Sequence, residues 1–246
     1  MKILKELKKE VFRGYDIRGV YPIDIDEDFS YTIGLSFGSY LQDFKKTTCI
    51  VGHDNRLSSD SLYGSLVKGL VDSGIDVIML GLCTTPMYYY AQIKLNCFSG
   101  IMVTASHNPA SDNGFKMSID ESGNIKGSEI EDFYNYTTSS NFKKGCGKTS
   151  EYDITNDYID LFVNNLKFGN YPLKVVIDPG NGTTSIIAKK IYEKFPIELI
   201  CINNESDGRF PNHHPDPCVE ENLAMLKKKV LECGASVGIS FDGDGD

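Results

Sequence analysis

Near the end of the chain, ISFDGDGD places carboxylates at alternate positions, Asp242, Asp244 and Asp246, with glycines between them. Carboxylate oxygens are the preferred ligands of hard divalent cations, and glycine lets a short backbone curl around an ion. A second run, TASHNP (104–109), sets Ser106 where a strand should meet a loop, followed by His107, Asn108 and Pro109. Such a serine could be a nucleophile, but Ser and Asn-Pro also favour turns, so the run equally suits a hydrogen-bonded turn. The hydrolase elbow G-x-S-x-G is absent, which leaves an acyl-transferring serine without its pattern. FRGYDIRG (12–19) adds Arg13, Tyr15 and Arg18 around glycines, and NGFK (113–116) adds Lys116. A guanidinium grips phosphate with parallel hydrogen bonds, and lysine offers a mobile point charge or a proton. Each cation alone also suits a solvated surface. The glycines beside these cations favour the functional reading, because they let backbone approach a ligand closely.

The elements that must position these residues read as an α/β protein, with short apolar runs alternating with longer amphipathic ones. TCIVGHD (48–54) is a buried strand. SSDSLYGSLVKGLVDSG follows as a helix, capped by Ser58 or Ser59 and stopped by Gly74. DVIMLG is the next strand, and PMYYYAQIKL a helix begun by Pro86. SGIMVTASHNP is a strand ending in a loop, and GFKMSID a further strand. Residues 139–150, rich in Ser, Lys and Gly, read as a linker. The pattern then restarts with a helix over EYDITNDYIDLFVNNLKF and a strand and glycine turn at LKVVIDPGNG. The helix TTSIIAKKIYEKF, the strand IELICIN, the helix VEENLAMLKKKVLECG and a last strand feeding the aspartate loop complete it. We therefore expect two successive three-layer α/β/α domains with mixed, mostly parallel sheets, over residues 1–148 and 149–246. In such sheets function collects at the loops after strand ends.

At 246 residues, 41% hydrophobic and 24% charged, the chain has the composition of a globular protein of one large or two ordinary domains. A formal net charge of −9 argues against non-specific nucleic-acid binding, although a few basic groups in one cleft can still hold a phosphate. No stretch approaches a membrane span or a signal peptide, so a cytoplasmic location is expected. The seven cysteines are scattered without a C-x-x-C pair and read as reduced thiols, mostly small core residues.

FRGYDIRG, TASHNP, NGFK and DGDGD, in that order and at these separations, resemble the α-D-phosphohexomutase family of phosphomannomutases, phosphoglucomutases and phosphoglucosamine mutases. VIDPGNG and GRFPNHHPDP resemble second-domain segments of the same family. The likeness covers nearly the whole chain, but only the first two of the family's four domains. It implies a fragment that lacks domains III and IV, with their sugar-recognition and distal phosphate-binding loops. The family's metal loop usually continues to an arginine, one residue beyond Asp246.

By that likeness, Ser106 carries a phosphoryl group and exchanges it with a phosphorylated hexose through a hexose 1,6-bisphosphate, moving phosphate between C1 and C6. Mg²⁺ would be held by Asp242, Asp244, Asp246 and Ser106 with its phosphate. Like charges 4 Å apart repel by about 1 kcal/mol in water and about 4 kcal/mol at an effective dielectric near 20, repulsion that a divalent ion offsets. Lys116 and Arg18 would steady the transferring group or shuttle a proton. His107 is either a proton carrier or a positioning donor. Tyr15, Arg13 and Asn108 would contact substrate or phosphate. HHPDP (213–217) reads as a rigid interdomain loop rather than a metal site, and Gly180, Asn181 and Gly182 as a tight strand-to-helix turn. DGDGD also matches the first half of an EF-hand calcium loop, without its helix–loop–helix context. A non-catalytic half-protein that binds a phosphosugar or a partner is the alternative from another functional class. The choice of hexose and the oligomeric state stay open.

Overall fold

The computed structural model describes residues 1–169 and 171–246. Alternation decides which face of the first sheet each strand residue covers, because successive strand side chains point to opposite sides. Cys49, Val51, Ile101 and Val103 enter one core, while Ile50 and Met102 enter another. The sheet comprises β1 (Ile17–Val20), β2 (Thr48–His53), β3 (Asp76–Leu82), β4 (Gly100–Val103), β5 (Asp112–Ser118) and β6 (Thr149–Glu151), in the order β1-β5-β4-β2-β3-β6. The pairs β2–β3, β2–β4 and β3–β6 are parallel, and β4–β5 and β1–β5 antiparallel, so the sheet is mixed as expected.

Helices α1 (Glu27–Asp43), α2 (Ser59–Ser73) and α4 (Ser128–Thr138) cover the first face, α1 through Phe29, Ile33, Phe37 and Leu41 at four-residue spacing. Helices α1 and α2 touch backbone to backbone. A Cβ on Gly34 would lie 2.3 Å from Leu66 O, and one on Gly69 2.3 Å from Tyr31 O. Neither α1, α4 nor β1 is among the elements read from the sequence. Asp26 does mark the start of α1, its side chain accepting from Phe29 N, but the glycines and serines inside α1 dilute its apolar stripe.

On the opposite face, α3 (Thr85–Lys94) packs Met87, Tyr88 and Ala91 beside Tyr158 and Ile159 of α5 (Thr155–Asn165), with Ile187 and Ile191 of the second unit. The two units therefore share a core. The second sheet is fully parallel, in the order β8-β7-β9, from β7 (Leu173–Asp178), β8 (Ile197–Cys201) and β9 (Val237–Ser240). Its helices are α6 (Ala188–Tyr192) and α7 (Ala224–Cys233).

Several expectations need correction. The residues just after position 148 form β6, which pairs with β3 in the first sheet rather than opening the second unit. The helix expected from Thr183 begins as a 3-10 turn (Thr183–Ile186), whose first N–H, that of Thr183, donates to Gly243 O. Ser58 holds the N-cap position of α2 as expected, but no side chain makes the capping bond: Ser59 Oγ donates to Asp54, and Ser58 Oγ accepts from Asn113. Gly74 does end that helix, with φ of 101°. Of the cysteines, only Cys49 and Cys83 are buried; Cys146 and Cys218 lie exposed in connecting segments, where no core is available to them. Among the described residues, no helix is long and apolar enough to cross a membrane.

Candidate active site

Loops from both sheets meet at Ser106. The residue follows β4 after Thr104 and Ala105 and takes φ of 52°, a left-handed conformation that is uncommon without a glycine. Its N–H donates to Thr104 Oγ1 at 2.9 Å, and its hydroxyl donates to Asp242 Oδ2 at 2.7 Å. His107 stands exposed beside it, with Nδ1 3.4 Å from Ser106 Oγ. The approach of the second sheet's loop depends on Gly243, where a Cβ would fall 2.5 Å from Ser106 O.

The aspartate loop is folded around its own first carboxylate: Asp242 Oδ1 accepts from Gly245 N at 2.9 Å and Asp246 N at 3.0 Å. Burial and the neighbouring Asp244 raise Asp242 to about 7. Asp244 is fully buried, and its Oδ2 accepts from Thr85 Oγ1, Thr104 Oγ1 and Lys116 Nζ at 2.8, 2.9 and 2.9 Å. Its backbone oxygen accepts from Thr85 N, so the start of α3 faces this residue. Burial opposes charge on Asp244, but Lys116 and these hydrogen bonds keep its carboxyl below the usual range. Lys116 also reaches Asp246 at 3.1 Å. Burial alone would lower Lys116, yet Asp244 and Asp246 raise it above the ordinary lysine value.

Arg18 is buried on β1, donating to Asn108 Oδ1 at 2.6 Å and pairing with Asp16, while its Nε has no protein partner. Asn108 also donates to Asp112 Oδ2 at 2.8 Å, so it braces the serine loop as well as Arg18. A cleft of about 470 Å³ is bounded by Arg18, Ser106, His107, Lys116, Tyr15 and Asp246, and further by Tyr89, Asn124 and Lys126. Tyr15 is exposed there. Arg13 is solvent-exposed and stands outside the residues that bound the cleft; its backbone N–H turns to Asp16 O. The structure thus brings together Ser106, His107, Lys116, Arg18, Tyr15, Asn108 and the three aspartates, but not Arg13.

Thr85, Thr104, Asp54 and Arg56 were not singled out by motif. Thr104 and Thr85 are the hydroxyl partners of Asp244. Arg56, after β2, pairs with Asp54 and donates to carbonyls of the serine loop. The run D-N-R after a buried strand was the available signal. Gly180 and Asn181 form the expected tight turn, both with positive φ, and Asn181 O accepts from Asn55 Nδ2 of the first unit. In HHPDP, His213 Nε2 lies 3.1 Å from Asp178 Oδ2 and Pro215 packs against Gly180 and Gly243, structural contacts that lie within the second unit rather than between units.

A hard divalent cation fits this donor set. One oxygen from each of Asp242, Asp244 and Asp246 lies within 4.8 Å of the others, and Asp244 Oδ1 is buried with no protein partner. An orphaned buried carboxylate oxygen is costly to leave unpaired, and an ion there would satisfy it.

Known proteins resemble nearly the whole of this chain. Residues 9–144 match the family model for phosphoglucomutase/phosphomannomutase alpha/beta/alpha domain I, and residues 156–246 that for domain II. A phosphomannomutase/phosphoglucomutase of Pseudomonas putida is 39% identical over 240 residues, covering 98% of this chain and 51% of the relative. The phosphomannomutase of Escherichia coli is 35% identical, covering 97% and 54%. The crystal structure of a phosphoglucomutase/phosphomannomutase family protein from Burkholderia thailandensis superposes with a TM-score of 0.92 at 35% identity, covering 98% of this chain and 54% of that one. The chain therefore spans about half the length of the curated relatives it matches.

Proposed function

This chain belongs to the phosphoglucomutase/phosphomannomutase family, and we propose that it carries the phosphoryl-transfer part of an α-D-phosphohexomutase. Ser106, carrying a phosphoryl group, gives it to the free C1 or C6 hydroxyl of a hexose monophosphate, and the resulting hexose 1,6-bisphosphate returns its other phosphoryl group to Ser106, so that phosphate moves between C1 and C6. The observation that carries this reading is the Ser106 hydroxyl, hydrogen-bonded to Asp242 at 2.7 Å inside a cluster of carboxylates and cations. A binding module or a turn has no use for a nucleophile in that setting.

In each transfer the attacking oxygen bonds to phosphorus as the bond to the departing oxygen breaks, and one proton leaves the attacking hydroxyl for the departing oxygen. Lys116, kept charged by Asp244 and Asp246, acts as a fixed positive charge beside the phosphoryl oxygens rather than as a base. Arg18, one of the residues that bound the same cleft, is braced by Asp16 and Asn108 and keeps an unpaired, buried Nε–H. His107, exposed with Nδ1 3.4 Å from Ser106 Oγ, is placed to hold the travelling proton. Asp242, Asp244, Asp246 and Ser106 would hold Mg²⁺, the natural ion for an all-oxygen site with a phosphate. When bound, it supplies charge neutralisation and polarises the phosphoryl oxygens. Sugar choice and distal-phosphate binding belong, in this reading, to further domains, so these 246 residues exchange phosphate at Ser106 but interconvert hexose phosphates slowly.

The test is to incubate the chain with Mg²⁺ and ³²P-labelled glucose 1,6-bisphosphate and map the labelled peptide. Label on Ser106, abolished in Ser106→Ala, is expected. Label elsewhere, no label, or brisk mutase turnover by this chain alone would overturn the reading.

A further inference from the structure

Arg56 enters none of these steps, yet all five of its guanidinium N–H groups have acceptors. Nε donates to Asp54 Oδ2 at 3.0 Å, Nη1 to the carbonyls of Pro109 and Asp112, and Nη2 to those of Ser106 and Asn108 at 2.7 and 2.8 Å. Four backbone carbonyls of one loop, residues 106–112, thus converge on a single side chain with no solvent exposure. Charge burial alone does not explain this, since an apolar side chain of similar volume often serves a core as well as a buried ion pair.

The loop's conformation gives the reason. Ser106 sits at φ of 52°. Backbone strain of that kind persists only where the surroundings over-determine it. Its N–H is tied to Thr104, its carbonyl to Arg56 and its hydroxyl to Asp242. Asp54 in turn is anchored by Ser59 Oγ and by Arg56 N. From the second unit, the Phe210 ring lies 5.4 Å from the guanidinium carbon, and Gly208 approaches so closely that its Cβ would lie 2.8 Å from Arg56 Cα. Arg56 therefore lies between the serine loop and the loop 206–210 of the other unit.

We infer that Arg56 is a positioning residue: through four loop carbonyls it sets the Ser106 hydroxyl on Asp242, and it makes that placement depend on loop 206–210 lying over it. The inference rests on Ser106 being the phosphoryl carrier. Arg56 touches no reacting atom.

Arg56→Lys keeps the charge, but an ammonium cannot reach this fan of acceptors. A misplacement of about 1 Å can slow a reaction by roughly 100-fold. The expected result is a folded Arg56→Lys chain whose Ser106 is labelled by glucose 1,6-bisphosphate about 100-fold more slowly, with faster amide hydrogen exchange confined to residues 104–112. In Arg56→Ala, millimolar methylguanidinium should restore labelling saturably, which a merely structural loss would not permit. Phe210→Ala should loosen the same segment while leaving Arg56 in place. Should either Arg56 variant fail to fold, ¹⁵N NMR of the unaltered chain decides: Arg56 should show a slowly exchanging Nε–H and resolved Nη signals. Labelling of folded Arg56→Lys at the unaltered rate, or Arg56 Nη signals averaged by free rotation, would overturn the inference. If the unaltered chain is not labelled at Ser106, the phosphohexomutase reading fails instead, and the exchange and NMR results still judge Arg56 by themselves.

Discussion

The hydroxyl of Ser106 donates to Asp242 Oδ2 at 2.7 Å across 136 residues of sequence, joining the loop after β4 of one sheet to the loop after β9 of the other. The candidate nucleophile and the candidate metal ligands thereby come from two units that share the core between α3, α5 and α6. Neither loop contains the site alone.

Asp242→Asn keeps one oxygen acceptor, enough for the two loop amides or for Ser106 but not for both, and removes the charge. Loss of merely an outer partner of a metal ligand usually weakens binding by about 10- to 100-fold, so a loss at least that large is expected here. Titration with Mn²⁺ followed by electron paramagnetic resonance measures it. Unchanged affinity would show that the three aspartates do not hold the ion.

Lys116 is the cation that compensates the buried Asp244. Lys116→Met leaves that carboxylate without its ion-pair partner, and breaking a buried pair from one side typically destabilises by about 3–5 kcal/mol. Urea denaturation without divalent ions should show a loss of that order, and millimolar Mg²⁺ should recover part of it by supplying the missing charge. A variant as stable as the unaltered chain would mean that Asp244 is compensated by its threonine partners alone.

Gly34→Ala and Gly69→Ala each add a methyl group within 2.3 Å of a carbonyl oxygen on the facing helix. Alanine has the higher helix propensity, by about 1 kcal/mol, so propensity alone predicts stabilisation. Overpacking costs about 1–3 kcal/mol and should win, because the obstructing atoms are backbone. Thermal melts of both variants give the sign directly; a raised Tm in either would show that α1 and α2 can separate cheaply.

His213 donates through Nε2 to Asp178, which raises its pKa above the ordinary 6.5, with burial opposing. A raised folded-state value means that the folded chain holds the proton more tightly. Its contribution to stability is therefore complete below pH 6.5 and lost as pH rises through the folded value. His213→Gln should be destabilising at pH 6 and less so at pH 8, in paired urea titrations. An equal effect at both pH values would mean that the imidazole is neutral in the folded chain.

Much of this architecture was legible before the structure. Alternating apolar runs marked β2, β3, β4, β5 and β7 because a sheet covered on both faces demands them, and Gly74 and Pro86 punctuated helices as their backbone chemistry dictates. Helix α1 was not legible, because its glycines and serines serve a close helix crossing rather than an apolar stripe. The strand β6 was hidden by its polar residues, Thr149, Ser150 and Glu151, all exposed at a sheet edge.

At the site, residue types and their local spacing set out the chemistry on offer: three carboxylates around glycines, a serine at a strand end, and cations near glycine turns. Local spacing carries that information because metal and phosphate ligands on one short loop must be sequence neighbours. Which of these meet was settled by folding. It brought Arg18 and Lys116 into the cleft, left Arg13 in solvent, and recruited Thr85, Thr104 and Arg56, whose hydrogen bonds run to loops far away in the chain. Partners of that kind leave no periodicity in sequence, since a buried carboxylate or a strained carbonyl can be satisfied from any element that folding happens to place beside it.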